Sequence, residues 1–391
     1  MEKSPHARRI ASIDIFRAMT MLTMLWVNDF AGMDGIPRWL EHAQTREDMM
    51  GFSDLVFPAF LFCMGLSIPF AVGNRIRKGE PIWKIVLHIA LRALALIVMG
   101  VCDMNCSSVK GGLPHSWFWV IAVIGFFLIW NDYPKAGGWR KWLHIGLRIC
   151  GIGIIGGLAA YRIGNGLPIK TEWWGILGLI GWAYLFSALI YLCVHRWKPA
   201  AFGAWAAVIS LLILNDSHVH ILGGIPGGWV HIGLAFTGVS AAVLMQMLAG
   251  SGKSKAFPLA SIAGAAVMFA AGLVSHRFWI ISQNMGTPTW MFFSLSASLI
   301  FLAAFYWLAD IKGHDLSGSR LARIFILPAG TATLTCYTIP YLTYNIRNIL
   351  HLWYPHAVSH GVAGLVKSLV FAFAISAAAW CLGRIHIRLK L

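Results

Sequence analysis

The chain has 391 residues, 58% of them hydrophobic and only 12% charged, with a mean hydropathy of +0.69. A soluble domain carries roughly 25% charged residues, so a soluble globular class is excluded. The formal net charge of +16 invites a nucleic-acid reading, but the basic residues cluster in alternate loops between apolar runs, which is a signature of membrane topology.

Apolar runs near the spanning length of about 20 residues recur along the whole chain. They predict an all-α polytopic transmembrane helix bundle with spans near 10–30, 52–73, 84–103, 116–132, 143–161, 174–194, 200–215, 229–249, 257–276, 290–310, 324–346 and 363–384. That gives about 12 spans, or 11 without the short seventh, in one domain covering 1–391. With the N-terminus cytoplasmic, inner segments hold 21 of the 31 basic residues and outer segments seven. The first run contains Asp14 and Arg17 and lacks a small-residue cleavage site, so a cleaved signal peptide is not expected. The longest loops include 31–51, 215–228, 277–289 and 347–362, all outer, and long loops tend to carry function. An extracytoplasmic substrate pocket follows as an expectation.

Acidic residues concentrate at the start of the chain. Asp14, Asp29 and Asp54 lie inside or at the edge of the first two spans, and charge at bilayer depth marks a functional site by default. Asp14 and Arg17 share a helix face three residues apart, either as a structural ion pair or with Arg17 meeting an anionic group from the cytoplasm. Asn28 lies eleven residues further, about 16 Å along the helix axis. With His42 in the outer loop and Asp54 at the start of the second span, it forms a polar cluster near the outer surface. A histidine oriented by a carboxylate works as a general base. Arg75, Arg77, Lys78 and Lys84 form a basic inner loop that reads as topology or as a site for a polyphosphate headgroup.

Other features carry less chemistry. Trp26, Trp117, Trp173, Trp174 and Trp290 fall at span ends, where interfacial belts are expected. Cys102 and Cys106 have helical spacing and suit a buried face or an outer disulfide. His218-x-His220 and His356-x₃-His360 have metal-ligand spacing, but no HExxH motif accompanies either pair, so no metal is expected. The stretch 328–337 is small and hydroxyl-rich, suited to close helix packing or to lining a cavity. No Walker A or GxGxxG sequence occurs.

Several of these residues also carry a resemblance. Ser12-Ile13-Asp14-Ile15-Phe16-Arg17, Val27-Asn28, His42-Ala43 and Asp54-Leu55-Val56-Phe57-Pro58, with Phe60, Phe62 and Gly65, resemble the heparan-α-glucosaminide N-acetyltransferase family within the transmembrane acyltransferases. The segment 173–182 looks like bacterial members, and Asn284 with Thr287-Pro288-Thr289-Trp290 resembles the family's turn before a late span. The sequence departs at Ala18 and at Gln44-Thr45-Arg46. The resemblance implies transfer of acetyl from cytoplasmic acetyl-CoA to the amine of an extracytoplasmic glucosamine or terminal glucosaminide. It implies His42 at the reaction centre, with Asn28 and Asp54 beside it, and Arg17, Asp14, Arg75, Arg77, Lys78 and Asn284 toward the donor. The expected partners are an amino-sugar acceptor, membrane lipid and a second copy of the chain in a homodimer, with no nucleic acid. The expected location is a bacterial cytoplasmic membrane with the acceptor site facing the periplasm. The competing readings are a sugar or solute transporter and an O-acyltransferase acting on a surface polysaccharide.

Overall fold

In the computed structural model, residues 10–106, 112–135, 137–217, 225–314, 316 and 318–391 are described. Helix α1 (Ala11–Phe30) carries Asp14, Arg17 and Asp29 yet is mostly buried. A single 3-10 turn, Phe52–Leu55, leads into α2 (Val56–Arg77). The chain continues through α3 (Ile82–Met104), α4 (His115–Trp130), α5 (Gly138–Gly164), α6 (Gly175–Val194), α7 (Ala200–Asp216), α8 (Trp229–Gly250), α9 (Phe257–Ser275) and α10 (Pro288–Phe305). It ends with α11 (Arg320–Phe325), α12 (Leu327–Thr331), α13 (Thr333–Ile349) and α14 (Gly361–Arg384). The protein is an all-α membrane helix bundle. Among the described residues, eight helical segments are long and apolar enough to cross a membrane, and α4 and α7 are shorter apolar helices. The charge-bearing α1 is not among the eight.

Small residues let the central helices touch backbone to backbone, as membrane interfaces require. A Cβ added at Gly65 of α2 would collide with the Ala235 carbonyl of α8, and one at Gly238 of α8 would collide with the Phe62 carbonyl of α2. Gly100 of α3 packs equally closely on Gly178 and the Trp174 carbonyl at the start of α6. The most apolar stretch of α8 is 72% buried in the bundle, whereas that of α5 is 11% buried.

Two sequence expectations are corrected. The eleventh span, 324–346, is three helices rather than one. Pro328 enters α12 without an N–H to donate, and the backbone leaves helical geometry at Ala332 (φ −118°, ψ 39°). Backbone polar groups freed at membrane depth need partners. The Arg388 guanidinium donates to the Thr331 carbonyl, and the Thr335 hydroxyl accepts from the Leu389 N–H at 2.9 Å. Gly330 also fits tightly against α1, where a Cβ would lie 2.8 Å from the Asp14 carbonyl oxygen. The second correction is Trp290, which is 0% exposed and donates its Nε1–H to the Asp54 carbonyl at 3.0 Å. It is a core residue beneath the outer loop and not part of an interfacial belt.

Candidate functional site

The loop 31–51 would be too long to hold a shape alone. It is stitched to the start of α2 by Phe52 N–H to Trp39 O (2.7 Å) and Ser53 N–H to Leu40 O (3.3 Å). Gly51 lies flat on the Glu41 carbonyl, where any Cβ would collide. These contacts bury Asp54 to 1% exposure. Its Oδ2 accepts the Gly51 N–H at 2.9 Å and the Ala43 N–H at 3.1 Å, and its Oδ1 lies 2.7 Å from His42 Nδ1. A carboxylate so fixed holds the proton of a neutral imidazole on Nδ1, which leaves Nε2 with a free lone pair. The His42 side chain remains 43% exposed and lines a cavity of about 610 Å³. Asn28 and Asn284 line the same cavity. The sequence-predicted cluster of Asn28, His42 and Asp54 is thus assembled, with Asp54 behind the histidine.

A second loop clamps the first. Asn284 donates to the Ala43 carbonyl at 3.2 Å, and Ser282 Oγ donates to the Thr45 carbonyl at 3.0 Å. Asp48 accepts the Ile281 N–H at 2.8 Å and pairs with His276 at 2.9 Å. The Ile281 N–H, aided by His276, holds the Asp48 carboxyl below its ordinary range. A depressed carboxylate stabilises the fold above its unfolded pKa of about 3.9, and that contribution is lost as pH falls through the lower folded value. At pH near 7 the clamp is therefore complete, and Asp48→Asn is expected to speed amide hydrogen exchange across residues 42–50 while leaving the helices protected. Unchanged exchange in that loop would contradict the clamp.

A second cavity of about 320 Å³ lies deeper along α1. Arg17, Ser67, Arg92, Arg388 and Lys390 line it, together with the N-terminus of α13 at Thr333 and Leu334. Helix N-termini present unpaired N–H groups and a positive dipole to anions. Arg17 pairs with Asp14 at 3.3 Å and donates to Ser67 Oγ at 2.5 Å. Arg92 and Arg388 each keep a buried Nε without a hydrogen-bond partner. Among the described residues no carboxylate side chain lines this cavity. Met24 belongs to the walls of both cavities, which therefore lie on neighbouring stretches of α1 with this side chain between them.

The structure does not bring every predicted residue into the site. Arg75 pairs with Glu80 at 2.6 Å at the end of α2, and neither it nor Arg77 nor Lys78 lines the inner cavity. Asn284 lies in the outer cavity beside His42 and not among the basic residues. Asp29 turns away to Lys367 of α14 at 2.7 Å and Tyr344 of α13 at 2.9 Å, a buried structural pair. Cys102 and Cys106 are free thiols, and burial pushes Cys106 up to about 12. His218 and His220 lie outside the described residues. His356 and His360 pack with ring centroids 5.0 Å apart. Sequence reasoning did not single out Arg92, Arg388, Lys390, Asp216, His231 and Gln283 as cavity-lining residues. Arg92 did carry a signal, as a charge in the middle of an apolar span.

The family described as Domain of unknown function (DUF5009) matches residues 9–222. Heparan-alpha-glucosaminide N-acetyltransferase of Mus musculus is 26% identical over 168 residues, covering 36% of this chain and 24% of that protein. The protein of the same name from Homo sapiens is 32% identical over 109 residues, covering 28% of this chain and 15% of that protein. The matched segments thus span a quarter or less of these relatives.

Proposed function

The chain belongs to the DUF5009 family, and from that premise we propose that it is a membrane-embedded acetyltransferase. Its donor is acetyl-CoA from the cytoplasm, and its acceptor is the amine of an extracytoplasmic glucosamine or terminal glucosaminide. The observation that carries this reading is a cationic cavity and a cavity lined by the Asp54-backed His42, set next to each other along α1 with Met24 in both walls. In this reading the coenzyme's phosphates lie against Arg17, Arg92, Arg388 and Lys390. The unpartnered Nε groups of Arg92 and Arg388 fit such an anion. Its arm follows α1 past Met24, and the thioester rests beside His42 and Asn28. The basic excess in alternate loops supports a cytoplasmic N-terminus and an outward acceptor site.

Two routes suit this geometry. In one, His42 Nε2 attacks the thioester carbonyl, the carbon–sulfur bond breaks, and coenzyme A leaves as the thiolate. The acceptor amine then takes the acetyl group from Nε2 and gives up a proton. In the other, His42 removes the proton from the ammonium group and the free amine attacks the thioester directly. In both, the Asn28 amide donates to the oxyanion, and Asp54 stabilises the charged imidazole. A buried carboxylate that fixes the tautomer of a cavity-facing histidine is the arrangement that nucleophilic or general-base acyl transfer requires.

The test is transfer of radiolabelled acetyl from acetyl-CoA to glucosamine by purified protein in detergent. Labelled N-acetylglucosamine is expected. Acetyl-CoA binding without transfer to any amino sugar would retire the acceptor, and an O-acetylated neutral sugar would replace it. Movement of a sugar across vesicles without acetyl-CoA would favour a transporter.

A further inference from the structure

The two cavities have opposite charge character. Among the described residues, arginine and lysine line the inner one without a carboxylate side chain, whereas no arginine or lysine lines the outer one. The carboxylate in the outer wall is Asp216, at the last turn of α7. The C-terminal end of a helix carries a partial negative charge, so Asp216 and the α7 dipole act in the same direction. Asn215 stands next to it in the same wall, its Nδ2 3.4 Å from Asp216 Oδ1.

The beginning of α8 adds a directed acceptor. The tight turn before it places Gly227 and Gly228 at φ 83° and 73°, a region that favours glycine. That turn aims the Gly227 carbonyl at His231 Nδ1, 2.6 Å away. A carbonyl only accepts, so Nδ1 carries the proton and Nε2 of the neutral ring is an acceptor. Gln283 lines the same cavity, and its Oε1 is buried without a hydrogen-bond partner. This wall therefore offers a carboxylate, an imidazole lone pair and an amide oxygen. Donor-rich, cationic ligands satisfy such a set, and a thioester carbonyl does not.

We propose that Asp216, His231 and Gln283 form a specificity wall that binds the acceptor as an ammonium-bearing sugar, with Asp216 as the counter-ion that selects amines over neutral sugars. The inference rests on the acetyltransferase reading for the identity of the ligand and gives it a selection step separate from His42. A cavity of about 610 Å³ lies within the 300–1,000 Å³ range of small-molecule sites. An ammonium ion held by Asp216 is concentrated beside His42 until its proton is removed.

The experiment is equilibrium binding of radiolabelled glucosamine to the full chain in detergent, without acetyl-CoA, with glucose as competitor. Wild type is expected to bind glucosamine and to reject glucose. Asp216→Asn keeps the size of the side chain and removes its charge, and it is expected to weaken glucosamine binding at least tenfold and abolish the preference over glucose. Asp216→Glu should restore the preference. His231→Asn keeps a donor for the Gly227 carbonyl and removes Nε2, and should weaken both sugars. Glucosamine affinity unchanged in Asp216→Asn, or no glucosamine binding by wild type, would overturn the proposal. Asp216-dependent binding without acetyl transfer keeps the wall and removes the enzyme. Acetyl transfer with an unchanged acceptor KM in Asp216→Asn does the reverse.

Discussion

Asp54→Asn is expected to lower kcat for acetyl transfer by about 10²- to 10⁴-fold while acetyl-CoA still binds. The reason is in the hydrogen bonds of the buried carboxylate. Oδ2 takes two backbone N–H groups, from Gly51 and Ala43, and Oδ1 faces His42 Nδ1. An asparagine has one acceptor oxygen, and two N–H donors compete for it against one imidazole. The amide oxygen stays with the backbone, and the amide NH₂ turns to the ring. Nδ1 must then accept, the proton moves to Nε2, and the lone pair that faces the cavity is lost. Asparagine also fails to stabilise an imidazolium or an acetyl-imidazolium. His42→Ala should be at least as severe, because both routes pass through Nε2. Steady-state kinetics of the two variants, with thermal unfolding as a control for the loop, check the pair. A kcat within tenfold of wild type in both would remove His42 from the reaction centre.

The two cavities were unequally legible in the sequence, for physical reasons. Asp14, Arg17, Asn28 and Asp54 stood out because polar groups at bilayer depth are costly, and His42 because its loop joins the two spans that carry them. Local order then carried them to neighbouring positions in space. The inner cavity had no such local signal. Arg92 and Arg388 are separated by nearly 300 residues, and only the packing of α3, α6, the α12–α13 break and the terminal segment brings them together. The basic run at 75–78 stands outside this cavity, because charge density in a loop also reports topology and Arg75 is paired with Glu80. The break in α11–α13 was half legible. Pro328 and Gly330 were visible, but tight packing on α1 and lining of a cavity look alike in sequence, and this segment does both. Trp290 shows the same ambiguity. A Trp at a span end faces headgroups or core according to its helix face, and only the tertiary bond to Asp54 decides it.

Donor recognition supplies the second large effect. Arg92 stacks on Tyr184 with its guanidinium carbon 4.9 Å from the ring centroid, and Arg388 reaches the cavity from the terminal segment while holding the Thr331 carbonyl. Each keeps a buried Nε without a partner, and a buried N–H without an acceptor costs about 1–3 kcal/mol. A bound phosphate removes that cost and adds charge-assisted bonds of roughly 1.5–3 kcal/mol each, or about 10- to 100-fold in affinity per arginine. Arg92→Met and Arg388→Met preserve the aliphatic stems and delete the charge. The double variant is expected to raise the KM for acetyl-CoA by about 10²-fold or more, with kcat little changed, because the lost contacts lie away from the thioester. The decisive comparison uses S-acetylpantetheine, which keeps the thioester and arm but lacks the nucleotide phosphates. Its KM should be the same for wild type and variant. If both donors lose equally, the arginines support the helix break and not the coenzyme. If neither changes, the headgroup binds elsewhere, and the Arg75–Lys78 loop becomes the alternative to test by the same pair of donors.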